Sequence, residues 1–82
     1  MNAKDLSARF VANVRRHLAA LGWSQNEFAL RHGIGSGAAS RLLSGAHHPT
    51  FETVAKVADL FGVEPHELLE PVVGSGRVTR GL

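Results

Sequence analysis

Four glycines, Gly22, Gly33, Gly45 and Gly62, punctuate the chain, and the segments between them read as short helices. Glycine just past a last helical turn ends a helix, and each of these follows an apolar pattern of helical spacing. Phe10, Val14, Leu18 and Leu21 recur on one stripe of a first helix over about Leu6 to Leu21. Arg9, Arg15 and Arg16 fall off that stripe, and Arg15 and Arg16 read as a solvated face. Ser24 starts a second helix. Glu27 stands three residues on, which is a capping box, and Trp23 with Phe28 has the spacing of a hydrophobic staple. A third helix runs from about Ser36 to Leu43, with Leu42 and Leu43 inward, and a loop of His47, His48 and Pro49 follows. Thr50 caps a fourth helix whose Val54, Val57, Ala58 and Phe61 share a face. Pro65 suits the first turn of a fifth, through Leu68 and Leu69, which ends before Pro71.

With 82 residues there is one core at most, burying roughly 60–65% of the unfolded surface. At 44% apolar and 20% charged the chain is built to fold. It has no cysteine, which excludes disulfides, thiolate metal sites and a cysteine nucleophile. No apolar run spans a membrane and the N-terminus lacks a signal peptide's stretch, so a cytoplasmic domain is expected. Residues 1–70 read as the folded domain. Residues 71–82 hold three glycines and read either as a frayed tail or as a β-prone arm that orders against a partner.

The net charge is +2, unevenly placed. Residues 1–48 carry Lys4, Arg9, Arg15, Arg16, Arg31 and Arg41 against Asp5 and Glu27. Residues 49–70 carry Lys56 against Glu52, Asp59, Glu64, Glu67 and Glu70. A cationic half beside an anionic one suits a polyanion approaching from one side. His47 and His48 have no matched third ligand, so no metal site is expected. No nucleophile–base set, carboxylate pair or phosphate loop appears, so neither an enzyme nor a cofactor is expected.

The informative stretch is Gln25 to Leu43, where two short helices meet across a turn too short for an antiparallel return. Ala29 is small where the helices touch, Gly33 suits the turn, and Phe28, Ile34 and Leu42 flank it. The full pattern is Ser24-Gln25-x-Glu27-Phe28-Ala29, Gly33-Ile34, Ser40-Arg41-Leu42, Gly45, Pro49-Thr50, Thr53-Val54, Lys56-Val57-Ala58, Phe61-Gly62-Val63 and Leu68-Leu69. From Gly22 to Leu69 the chain thereby resembles the lambda-repressor-like, or Cro/Xre-type, helix-turn-helix DNA-binding family.

That resemblance implies an all-α, five-helix domain, a homodimer, and a third helix in the major groove of double-stranded DNA. It implies that Gln25 meets the DNA backbone and that Ser36 and Gly37 are the first exposed positions of the reading helix. Ser40 and Arg41 follow one turn later, and Ser44, His47, His48 and Thr50 lie in the loop that touches phosphates. Arg41 is the best reader, since a guanidinium donates two bonds to guanine. The departures are Gly35 in place of a serine or threonine cap, Ala39 in place of a larger β-branched residue, and few long polar side chains. Two glycines in so short a helix cost about 1 kcal/mol each. Specificity would then lean on Arg41, close backbone approach and DNA shape.

Two functions follow. One is a sequence-specific transcriptional regulator, a repressor acting as a dimer, favoured by Arg41 and the basic half. The other is a protein-interaction module, such as a toxin-neutralising antitoxin or an accessory subunit, favoured by the bare third helix. Leu68 and Leu69 cannot both face inward on one short helix, and Val72, Val73 and Val78 have no assigned face. A dimer through residues of about 63–80 is expected.

Overall fold

The computed structural model describes residues 2–72. Helix α1 spans Ala3–Leu21, α2 Gln25–His32, α3 Ser36–Ser44 and α4 Phe51–Phe61, followed by a 3-10 segment at Pro65–Leu69. No strand occurs among the described residues. The arm expected of residues 73–82, with Val73, Val78 and the Arg77 to Arg80 stretch, lies outside them.

Local chemistry sets the boundaries. Asn2 accepts from the Asp5 amide at 2.9 Å, so α1 begins three residues before Leu6. At its far end the Trp23 amide donates to the Leu18 carbonyl at 2.9 Å and folds the chain back. Trp23 therefore covers that end of the core, and Leu21, expected on the buried stripe, is 49% exposed. Ser24 caps α2 through the Glu27 amide at 3.0 Å, but the capping box is only half formed, because the Glu27 carboxylate pairs with Arg31 instead. Trp23 and Phe28, the expected staple pair, both pack on Phe61, at 6.0 and 6.2 Å between ring centres.

The expected fifth helix is a single short 3-10 turn. Pro65 opens it, Glu64 and Glu67 exchange backbone–side-chain bonds across it, and Pro71 follows two residues after its end. Five residues leave little length for an α-helical ladder. Leu68 is fully buried and Leu69 packs at the rim of the core. Asn13, itself buried, fastens this segment to α1. Its amide nitrogen donates to the carbonyls of Leu68 and Glu70 at 3.0 and 2.8 Å and to Arg9 at 2.9 Å. Its oxygen accepts from Arg16 at 3.2 Å, so Arg16, exposed as expected, is nonetheless tied down at its head.

The core gathers Phe10, Val14 and Leu18 of α1, Phe28 and Ala29 of α2, Ala39 and Leu43 of α3, and Val54, Val57 and Ala58 of α4 around Leu68. Along one side runs a ring stack: His17 on Phe61 at 4.9 Å, Phe61 on Phe28, and Phe28 on His32 at 5.5 Å. Burial first, then the neighbouring Arg16, pushes the His17 imidazole below its ordinary 6.5, against a smaller raising effect of Glu67. Burial and then Lys56 lower His32. Both rings are therefore held neutral more firmly in the folded chain than in the unfolded one. Their contribution to stability is complete above about pH 6.5 and is lost as the pH falls through the lowered folded values. Thermal unfolding followed from pH 7.5 down to about 5 should show a falling midpoint. The fall should flatten in the His17→Phe/His32→Phe double variant.

Gly33 sits at φ 75°, with open space where a Cβ would point. A substitution there is strained by conformation rather than by clash. Gly33→Val should cost roughly 1–3 kcal/mol and lower the melting temperature. An unchanged melting temperature would show that the turn does not need that conformation.

Candidate nucleic-acid interface

Helices α2 and α3 are joined by Gly33, Ile34 and Gly35 alone. The Ile34 amide donates to the Ala29 carbonyl at 3.0 Å, which turns the chain sharply across the end of α2. Gly35 stands outside α3 as its N-cap, in extended backbone, so Gly37 is the one glycine within the helix. With no capping side chain at Gly35, the first-turn amides of α3 are left for an outside acceptor.

Residues three and four apart share a helix face, and α3 divides accordingly. Ala39 and Leu43 are buried, while Ser36, Gly37, Ser40, Arg41 and Ser44 are exposed. Ala39 is fully covered despite its small size, so the departure at this position leaves no exposed gap. Arg41 leans back along α3, and a Cβ placed at Gly37 would lie 3.6 Å from its Nη1. Gln25 is the exposed first residue of α2.

The loop after α3 closes the site. A cleft of about 180 Å³ lies between α3 and this loop, lined by Arg41, His47, His48, Thr50 and Thr53 over Phe10. The hydroxyls at the two ends of this loop are engaged. Ser44 donates to the Arg41 carbonyl at 2.8 Å and accepts from the Ala46 amide at 3.2 Å. Thr50 accepts from the Thr53 amide at 3.1 Å, capping α4, and donates to the Thr53 hydroxyl at 3.0 Å. His48 is hydrogen-bonded through Nδ1 to the buried Ser7 of α1. His47 is exposed. The nine residues singled out in the sequence thus fall at the start of α2, on the outward face of α3 and along the loop behind it.

Two further cations of the basic half stand beside these nine residues. Lys4 and Arg15 line a groove of about 420 Å³ beside Ser44, Gly45 and His48. Arg15, read as solvated, donates from Nη2 to the Leu43 carbonyl at 2.8 Å. It lies 28 residues away from Leu43, beyond any local pattern. Among the described residues, no group of three or more histidines and carboxylates is placed to hold a metal ion, and no helix is long and apolar enough to cross a membrane.

The chain is similar in fold to the crystal structure of a hypothetical transcription factor, NHTF, from Neisseria. The TM-score is 0.76 at 28% identity, over 87% of this chain and 82% of that one. No curated protein matches. The model of the helix-turn-helix family matches residues 14–68, which takes in the last eight residues of α1, all of α2, α3 and α4, and most of the 3-10 segment. The chain belongs to the Cro/Xre-type helix-turn-helix DNA-binding family.

Proposed function

We propose that the protein is a transcriptional regulator that binds double-stranded DNA as a homodimer, lays α3 in the major groove, and represses by occupying its site. The observation that carries this reading is the division of α3. Its inner face is consumed by the core, Ser36, Gly37, Ser40 and Arg41 face outward, Arg41 shares a cleft with the loop bearing His47 and His48, and Gln25 is exposed at the start of α2. Family membership and the likeness to a hypothetical transcription factor support it. In this arrangement Arg41 is the base reader, Gln25 and the loop meet phosphates, and the uncapped first turn of α3 favours a nearby phosphate.

The short side chains of α3 favour a second reading, a protein-interaction module such as an antitoxin. Titration against duplex at low and high salt separates the two. A regulator binds steeply at low salt and loses affinity as salt rises, whereas an interaction module shows no such binding. On the duplex that the protein enriches from a randomised pool, Arg41→Ala should weaken binding by about 1–3 kcal/mol without lowering the melting temperature. Equal affinities would remove Arg41 from the reading face.

For pairing, the 3-10 segment offers less than expected, because Leu68 is buried. Instead, Phe51 is 92% exposed at the start of α4. With Leu6, Pro49 and Leu69 it borders an apolar groove of about 260 Å³ next to the DNA-facing loop. Pairing through this patch is the dimer contact proposed, and a dimer of this kind reads half-sites about one turn, ~34 Å, apart. The protein should sediment as a dimer at tens of micromolar and Phe51→Lys as a monomer of unchanged helicity. A monomeric parent, free and on DNA, would exclude this pairing.

A further inference from the structure

We propose that Arg15 is a positioning residue for α3, fixing the direction in which the outward face is aimed; the inference rests on the DNA-binding reading above. A nine-residue helix is too short to hold itself in water, and α3 also lacks a capping side chain at its start. What holds it beyond packing lies at its other end. There the Arg41 carbonyl is satisfied by Ser44 and the Leu42 carbonyl by Gly45, both within the same turn. The Leu43 carbonyl is satisfied from outside, by Arg15. Among the described residues this is the one hydrogen bond that joins α3 to another helix.

The charge suits the place. A guanidinium at a helix C-terminus meets the negative end of the helix dipole and a carbonyl that the helix itself does not satisfy. Arg15 is available for it, since the ion pairs among the described residues are Arg31–Glu27 and Lys56–Glu52. The planar, forked head also constrains direction where an ammonium would not. Leu43 is buried two residues after Arg41, so a tether on its carbonyl sets both the depth and the tilt of the reading side chain.

The test compares Arg15→Ala with Arg16→Ala, which removes the same charge from the next position without touching α3. Binding is measured to the duplex enriched by the parent and to an unrelated duplex of equal length, and amide exchange is followed in the free proteins. Arg15→Ala should lose about five- to tenfold in affinity for the enriched duplex, the effect of one charge-assisted bond partly transmitted. Its affinity for the unrelated duplex and its salt slope should match those of Arg16→Ala. Without DNA, the amides of α3 should exchange faster than in the parent while those of α2 do not. A salt slope lower by about 0.9 than that of Arg16→Ala would make Arg15 a direct phosphate contact and overturn the proposal. Equal losses in the two variants, or unchanged exchange in α3, would overturn it as well. A parent that binds no duplex would defeat the DNA-binding reading, while the exchange of α3 would still decide whether Arg15 positions that helix.

Discussion

The burial of Ala39 and Leu43 is the interaction on which the outward face of α3 depends. Nine residues, one of them an internal glycine, with glycine again as the N-cap, do not make a stable helix alone. The helix exists because two side chains one turn apart sit in the same cluster as Phe10, Val14, Phe28 and Val54. Everything presented outward is fixed by what is held inward. Ser36, Ser40 and Arg41 point outward because Ala39 and Leu43 are held inward. The small volume of Ala39 fits this role, since it lets α3 lie close to the framework and still be fully covered.

The framework around α3 is closed onto α1 at two points by side chains rather than by more apolar surface. Asn13 closes one by drawing the carbonyls of Leu68 and Glu70 onto α1, which seats Leu68 in the core. The Ser7–His48 bond closes the other by holding the loop after α3 against α1. Both involve buried polar groups, which are costly unless paired, so each fixes a single arrangement where apolar contacts would allow several.

This explains what the sequence made legible. Helix ends were readable because caps act over three or four residues: Ser24, Thr50 and the glycines at 22, 33, 45 and 62 all fall where local chemistry puts them. The reading of Glu27 failed because Arg31, one turn away, competes for the same carboxylate. The bonds of Asn13, Arg15 and His48 were not readable, since they join residues 55 and 57, 28 and 41 positions apart. Periodicity marks which side of a helix is apolar, and says nothing of which polar side chain on the other side will find a carbonyl. The candidate site was legible through its family pattern, but not the state of its hydroxyls. Ser44 and Thr50 stand where phosphate contacts are implied, yet both are engaged in shaping their own turns.

That engagement shifts the work of recognition onto fewer groups. On the DNA-binding reading, Arg41 and Gln25 are the long polar side chains that α2 and α3 offer outward at the expected positions. One bidentate arginine discriminates by about 1–3 kcal/mol, whereas specific sites are typically separated from random DNA by roughly 4–10 kcal/mol. A single copy falls short of that gap. Doubling the contact by two-fold symmetry closes part of it, and the rest must come from terms that need no long side chain. Gly37 and Ser36 at the start of α3 permit close backbone approach, so the fit would depend on groove width and local deformability of the duplex. A bare reading helix held rigidly suits such readout, because a duplex of the wrong shape meets a surface that cannot adjust to it.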